Sequence, residues 1–197
     1  MEFDLDLNDA ALVIVDVQGD FCPGGSLAVR DGDAVVAPAN ELARHFAAAG
    51  RPVYYSKDHH PADHTSFTEQ GGPWPAHCIV GTPGWEFHPG LDPVPGAVFV
   101  YKGYNADRDD YSVFAATLEP DPASPTFGSL LAIAGVRQLY VCGLATDYCV
   151  GATAADSLSA GLRTIVITTA SRGVDVEPGD SERVLAQLAS GGAIILD

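Results

Sequence analysis

Cationic side chains are scarce in this chain. Ten Lys and Arg stand against 26 Asp and Glu among 197 residues, a formal charge of −16. A partner built of phosphates must be met by positive surface that displaces its counterions, so this balance argues against nucleic acid and against an anionic membrane surface. It also disfavours a strongly anionic substrate. Long apolar runs are missing too: nowhere do roughly eighteen uncharged apolar residues follow one another, which excludes a membrane-spanning helix. The first residues, Met1-Glu-Phe-Asp-Leu-Asp, are acidic and lack the basic and then apolar segments of an export signal. The four cysteines, Cys22, Cys78, Cys142 and Cys149, match neither a disulfide framework nor a zinc knuckle. With no export signal, that pattern predicts reduced thiols and a cytoplasmic location. Repeats and low-complexity segments are absent, and the length predicts a single domain over residues 1–197.

What is present is an alternation of strands and helices. Ala11-Leu-Val-Ile-Val-Asp16-Val is a near-continuous apolar run, as in a strand covered on both faces, and it delivers an acid near its carboxyl end. A helix is predicted over 34–49, with Val35, Leu42, Ala43 and Phe46 on one face and Gly50 ending it. Residues 52–58 read as a strand that again exits on an acid, Asp58, and residues 97–101 as one followed at once by Lys102. Strands at 138–142, 163–169 and 193–196, with helices near 127–134, 147–161 and 180–190, complete the pattern. Such an alternation implies right-handed crossovers and hence an α/β fold: a doubly wound, Rossmann-like, mostly parallel β-sheet with helices on both faces. Residues 59–96 interrupt it with a stretch rich in Pro, Gly and His, far longer than an ordinary connection. Its two Trp and several His argue for a functional loop and against disorder.

In an open parallel sheet, ligands bind outside the carboxyl ends of the strands. Asp16, Asp58, Lys102 and Cys149 all lie at or just past such ends. Thr146 is a natural N-cap, which would set Cys149 in a first helical turn, where free N–H groups and the helix dipole favour a thiolate. A thiol nucleophile needs a base, and Asp16 is the candidate; Lys102 would offset the negative charge of both. The plain alternatives are a buried structural thiol and an Asp16–Lys102 salt bridge without chemistry. Asp58, His60 and His77 offer one carboxylate and two imidazoles, a set that suits one divalent metal ion, Zn²⁺, Fe²⁺ or Mn²⁺, with open positions. His64 and Glu69 are further or alternative ligands, His59 points the other way if strand alternation persists, and a surface His cluster without metal is the competing reading.

Taken together, Asp16-Val-Gln-Gly-Asp-Phe-Cys-Pro-Gly-Gly-Ser-Leu-Ala-Val29, Lys57-Asp58-x-His60, Trp74-Pro-x-His77-Cys, Tyr101-Lys102-Gly and Gly143-Leu-Ala-Thr-Asp-Tyr-Cys149-Val resemble, in order and spacing, the nicotinamidases (pyrazinamidases) of the isochorismatase-like cysteine hydrolases. The resemblance spans most of the chain. It implies a catalytic triad of Asp16, Lys102 and Cys149, and a divalent metal on Asp58, His60 and His77. It further implies a cis peptide between Leu144 and Ala145, an oxyanion hole from the N–H groups of Ala145 and Cys149, and a substrate pocket lined by Phe21, Trp74, Tyr111 and Leu144. The implied reaction is hydrolysis of nicotinamide, and of pyrazinamide, to the acid and ammonia through a thioester, in salvage of pyridine nucleotides. The rival readings are a sister hydrolase acting on a carbamoyl compound or isochorismate, and a non-catalytic binding module. The ion and the oligomeric state, including a homo-oligomer, stay open.

Overall fold

The computed structural model describes residues 5–197; Met1 to Asp4, part of the segment read above for an export signal, lie outside them. Six strands, β1 (Ala10–Val15), β2 (Val53–Asp58), β3 (Val98–Lys102), β4 (Gln138–Leu144), β5 (Arg163–Arg172) and β6 (Ile194–Leu196), form one sheet in the order β3-β2-β1-β4-β5-β6. Every pairing is parallel. The chain winds outward in both directions from the β1/β4 pair, so the strand order reverses there and leaves a crevice at the strands' carboxyl ends. Four helices, α1 (Val36–Ala48), α2 (Phe127–Ile133), α3 (Gly151–Ser159) and α4 (Asp180–Ser190), cover the two faces. Among the described residues no helix is long and apolar enough to cross a membrane.

The twofold alternation of a strand divides the core. From β1, Leu12 and Ile14 join Leu42 and Phe46 of α1 on one face. Val13 and Val15 join Phe127 of α2, Ala154 of α3 and Leu188 of α4 on the other. All four β1 side chains are fully buried, each burial contributing about 1.5–3 kcal/mol before entropy is counted. The predicted α1 starts late because Gly32–Val35 forms a 3₁₀ turn first. Pro38 then falls in the first helical turn, where its missing N–H costs nothing.

The loop 59–96 is held by polar contacts rather than by a core of its own. Bridges join Gln18 to Phe87, His60 to Ile79 and Phe67 to Trp74, and the Asn40 side chain donates to Gly90 O and accepts from Asp92 N. At the exit of β4 the register against β5 slips, with Val141 opposite Val166 but Gly143 opposite Ser171. Gly143 has φ +116°, and a Cβ there would sit 2.2 Å from Val15 O. Only glycine fits both demands. Gly143→Ala is therefore expected to lower stability by ~3 kcal/mol or more, read as a fall in the urea midpoint; an unchanged midpoint would show that the β1/β4 exit can relax.

Candidate active site

Four strand exits meet at one point. Asp16 directly follows β1, its φ of +47° puts it in the left-handed region, and the chain turns back sharply with Gln18 N donating to Asp16 O at 2.8 Å. β2 ends on Asp58 and β3 on Lys102, which are register partners. β4 runs through the cis peptide Leu144–Ala145 into a single π turn, Thr146–Val150, that carries Cys149 and continues into α3. Here the structure departs from expectation. The N-cap is Ala145, with no side-chain capping bond, so Thr146 does not fill that role.

The Lys102 ammonium is fully buried and touches all three neighbours. It lies 2.9 Å from Asp16 Oδ2, donates to Asp58 Oδ1 and donates to Cys149 Sγ at 3.4 Å. Asp16 Oδ1 accepts from Ser56 Oγ at 2.6 Å. Its Oδ2, although in charge contact with Lys102, has no aligned hydrogen-bond donor, which leaves a buried carboxylate oxygen able to take a proton. The two carboxylates and the thiol sulfur lie within 4.8 Å of one another.

Burial decides the protonation pattern. It pushes the Asp16 carboxyl up against the pull of Lys102. Burial acts likewise on Asp58, but Lys102 and His60 outweigh it and hold that group well below the carboxylate range. For Lys102, burial opposes the charge and is overcome by Asp16 and Asp58, so the ammonium persists. Cys149 is pushed far above an ordinary thiol, by burial first and then by the two carboxylates, with Lys102 opposing. Burial and the two carboxylates thus work against the thiolate that the helix start favours, and Asp16 Oδ2 is an adjacent oxygen able to accept the proton.

Beside this group, Asp58, His60 and His77 bring one ligand atom each within 4.8 Å. Carbonyl oxygens fix both imidazoles: His60 Nδ1 faces Gly103 O at 2.9 Å and His77 Nδ1 faces Pro75 O at 2.8 Å. Each ring then keeps its proton on Nδ1 and a lone pair on Nε2, the tautomer a metal requires. The donor set fits a divalent ion. His64 stacks on His60 at 4.0 Å but spends both nitrogens on Ser66 Oγ and Arg108 O. Glu69 is exposed on a 3₁₀ turn. Neither joins the three.

A pocket opens onto the thiol and this trio, walled by Phe21, Trp74, Tyr111, Ala145, Tyr148 and Val174 among others. Trp74 Nε1 donates to Tyr111 Oη at 3.0 Å, bracing the aromatic wall. Leu144, expected in that wall, is instead packed into the core and Ala145 takes its place. Asp109, Asp110 and Val174 line the pocket without having been foreseen, since no periodicity marks loops. Ser56 was findable: two residues before Asp58 on a strand, it shares its face.

The isochorismatase-domain profile matches residues 10–197. The chain is similar to the nicotinamidase of Escherichia coli strain K12, 37% identical over 200 residues covering 94% of this chain and 93% of that protein. It is similar also to the nicotinamidase/pyrazinamidase of Mycobacterium tuberculosis, 41% identical over 172 residues, 85% of this chain and 88% of that one. Its fold is similar to the crystal structure of the pyrazinamidase of Pyrococcus horikoshii in complex with zinc, with a TM-score of 0.86 and 38% identity over 96% of this chain and 99% of the other. A match that begins with β1 and runs to the last residue takes in the whole sheet and all four strand exits, and the chain belongs to the isochorismatase-domain family.

Proposed function

We propose that this protein is a nicotinamidase, hydrolysing nicotinamide, and pyrazinamide with it, to the carboxylic acid and ammonia in salvage of pyridine nucleotides. The observation that carries the reading is the buried Lys102 ammonium in simultaneous contact with Asp16, Asp58 and Cys149. Asp16 takes the proton of the Cys149 thiol as the sulfur attacks the carboxamide carbon. It then returns the proton to the departing nitrogen, the C–N bond breaks, and ammonia leaves a thioester on Cys149. Asp16 next draws a proton from water as the oxygen attacks that thioester, and the sulfur departs as a thiol with release of the acid. The N–H groups of Ala145 and Cys149 are the proposed donors to the oxyanion. Phe21 and Trp74, with Tyr111, flank the substrate ring. Asp58, His60 and His77 would hold one Zn²⁺, Fe²⁺ or Mn²⁺, which when bound offers a Lewis-acid position to the ring nitrogen of the substrate. A single domain and a cytoplasmic location belong to the same proposal.

Cys149→Ala is expected to abolish ammonia release from nicotinamide with fold and metal content unchanged; turnover above a few per cent of the parent rate, by coupled ammonia assay, contradicts the covalent route. Removing the metal with a chelator should suppress nicotinamide hydrolysis, with recovery on adding back Zn²⁺, Fe²⁺ or Mn²⁺, checked by elemental analysis beside the rate. The third expectation concerns the titration of the thiol. Asp16 raises the Cys149 pKa and Lys102 lowers it, so Asp16→Asn should shift iodoacetamide alkylation of Cys149 to lower pH although hydrolysis is lost. Lys102→Met should shift alkylation to higher pH. Equal profiles in the two variants would show that neither charge is felt at the sulfur.

A further inference from the structure

Asp20 sits on the 3₁₀ turn Gly19–Phe21 that leaves β1, and its carboxylate ends on two backbone donors. Oδ1 accepts from Ser26 N at 3.1 Å within its own loop, and Oδ2 accepts from Cys78 N at 2.8 Å, 58 residues away. Cys78 directly follows His77 and has φ +47°, a conformation costly for a side-chain-bearing residue and kept only where its surroundings enforce it. The other end of Cys78 is also held, since its carbonyl accepts from His60 N at 3.1 Å. The Asp20 carboxylate thus completes a chain of contacts, from the β1 exit to Cys78, which directly follows His77, and on to His60. Gly84 makes room for it: a Cβ there would fall 2.1 Å from the Asp20 carboxyl carbon. The neighbouring Phe21 ring packs on His77 at 5.4 Å.

We propose that Asp20 is a positioning residue for the metal group, setting His77 and His60 at ligating distance through the Cys78 peptide. It touches neither substrate nor metal in this role. The inference rests on the reading of His77 as a ligand. A divalent ion demands its donors within a few tenths of an ångström, and a residue that orients a ligand is worth roughly 10–100-fold in metal affinity.

The test loads the protein with Zn²⁺ and measures transfer of the ion to a chromogenic chelator for the parent, Asp20→Ala, Asp20→Asn, His77→Ala and, as a control for lost stability alone, Leu42→Ala in α1. Asp20→Ala should bind Zn²⁺ roughly tenfold or more weakly. Asp20→Asn, which keeps one acceptor oxygen, should fall between it and the parent, while Leu42→Ala lowers the urea midpoint and keeps its zinc. Asp20→Ala holding zinc like the parent, or losing no more than Leu42→Ala, overturns the proposal; if Asp20→Ala does not fold, Asp20→Asn is judged by the same comparison. Undiminished zinc in His77→Ala would overturn the ligand reading beneath it. Loss in His77→Ala without loss in either Asp20 variant would refute the positioning role alone.

Discussion

The rest of the site depends on one ammonium group kept out of water. An unpaired Lys at full burial is very costly, and so are two carboxylates confined together; each is tolerated because the other is there. Breaking a buried pair by removing one partner typically costs about 3–5 kcal/mol, since it strands the charge that remains. Lys102 therefore couples three groups: the Asp16 carboxylate proposed as the base, the Asp58 carboxylate proposed as a metal ligand, and the Cys149 thiol. Asp16 and Asp58 put negative charge beside the sulfur, and that charge, with burial, pushes the thiol pKa up. A divalent cation on Asp58, His60 and His77 would offset that charge.

Around this centre the backbone is held by side chains used as clamps. Gln18, fully buried, accepts from Asp58 N and donates to Asp58 O and Trp85 O, so the segment that follows Asp16 also fixes the next acid. Asp147 does the same on the far side, accepting from Val174 N and Asp175 N and tying the loop after β5 to the turn that carries the thiol. These clamps are how loops with little apolar surface stay in register with a sheet.

Much of this was legible from residue order because strand exits are marked by a change of alphabet. An apolar run ending on Asp16, Asp58 or Lys102 declares both its strand and its exit, and the alternation of elements declares a parallel sheet whose exits share one edge. What stayed hidden depends on contacts between distant loops. Nothing in the order of residues shows that Asp109 or Val174 reaches the pocket, or that His64 spends both nitrogens on neighbours. The influences on Cys149 divide in the same way: helix position is local and readable, whereas the burial that pushes its pKa up is a property of the assembled fold. Leu144 turns into the core and Ala145 lines the pocket in its place, a choice of side-chain direction that residue types alone do not encode.

The strand order has a consequence for how the chemistry is partitioned. β3, β2 and β1, with the loop between β2 and β3, carry Asp16, Ser56, Asp58, His60, His77 and Lys102, whereas β4, β5 and β6 lie on the other side and bring Cys149. On the proposed roles, one half holds the base and the metal group and the other the nucleophile, and within the sheet the two are joined by the ladder that pairs Ala10 with Gln138 and Val15 with Gly143. Any motion that widened this seam would part the sulfur from the ammonium 47 residues before it while each half kept its own pairing. The enzyme's on-state is, in that sense, a property of the joint and of neither half.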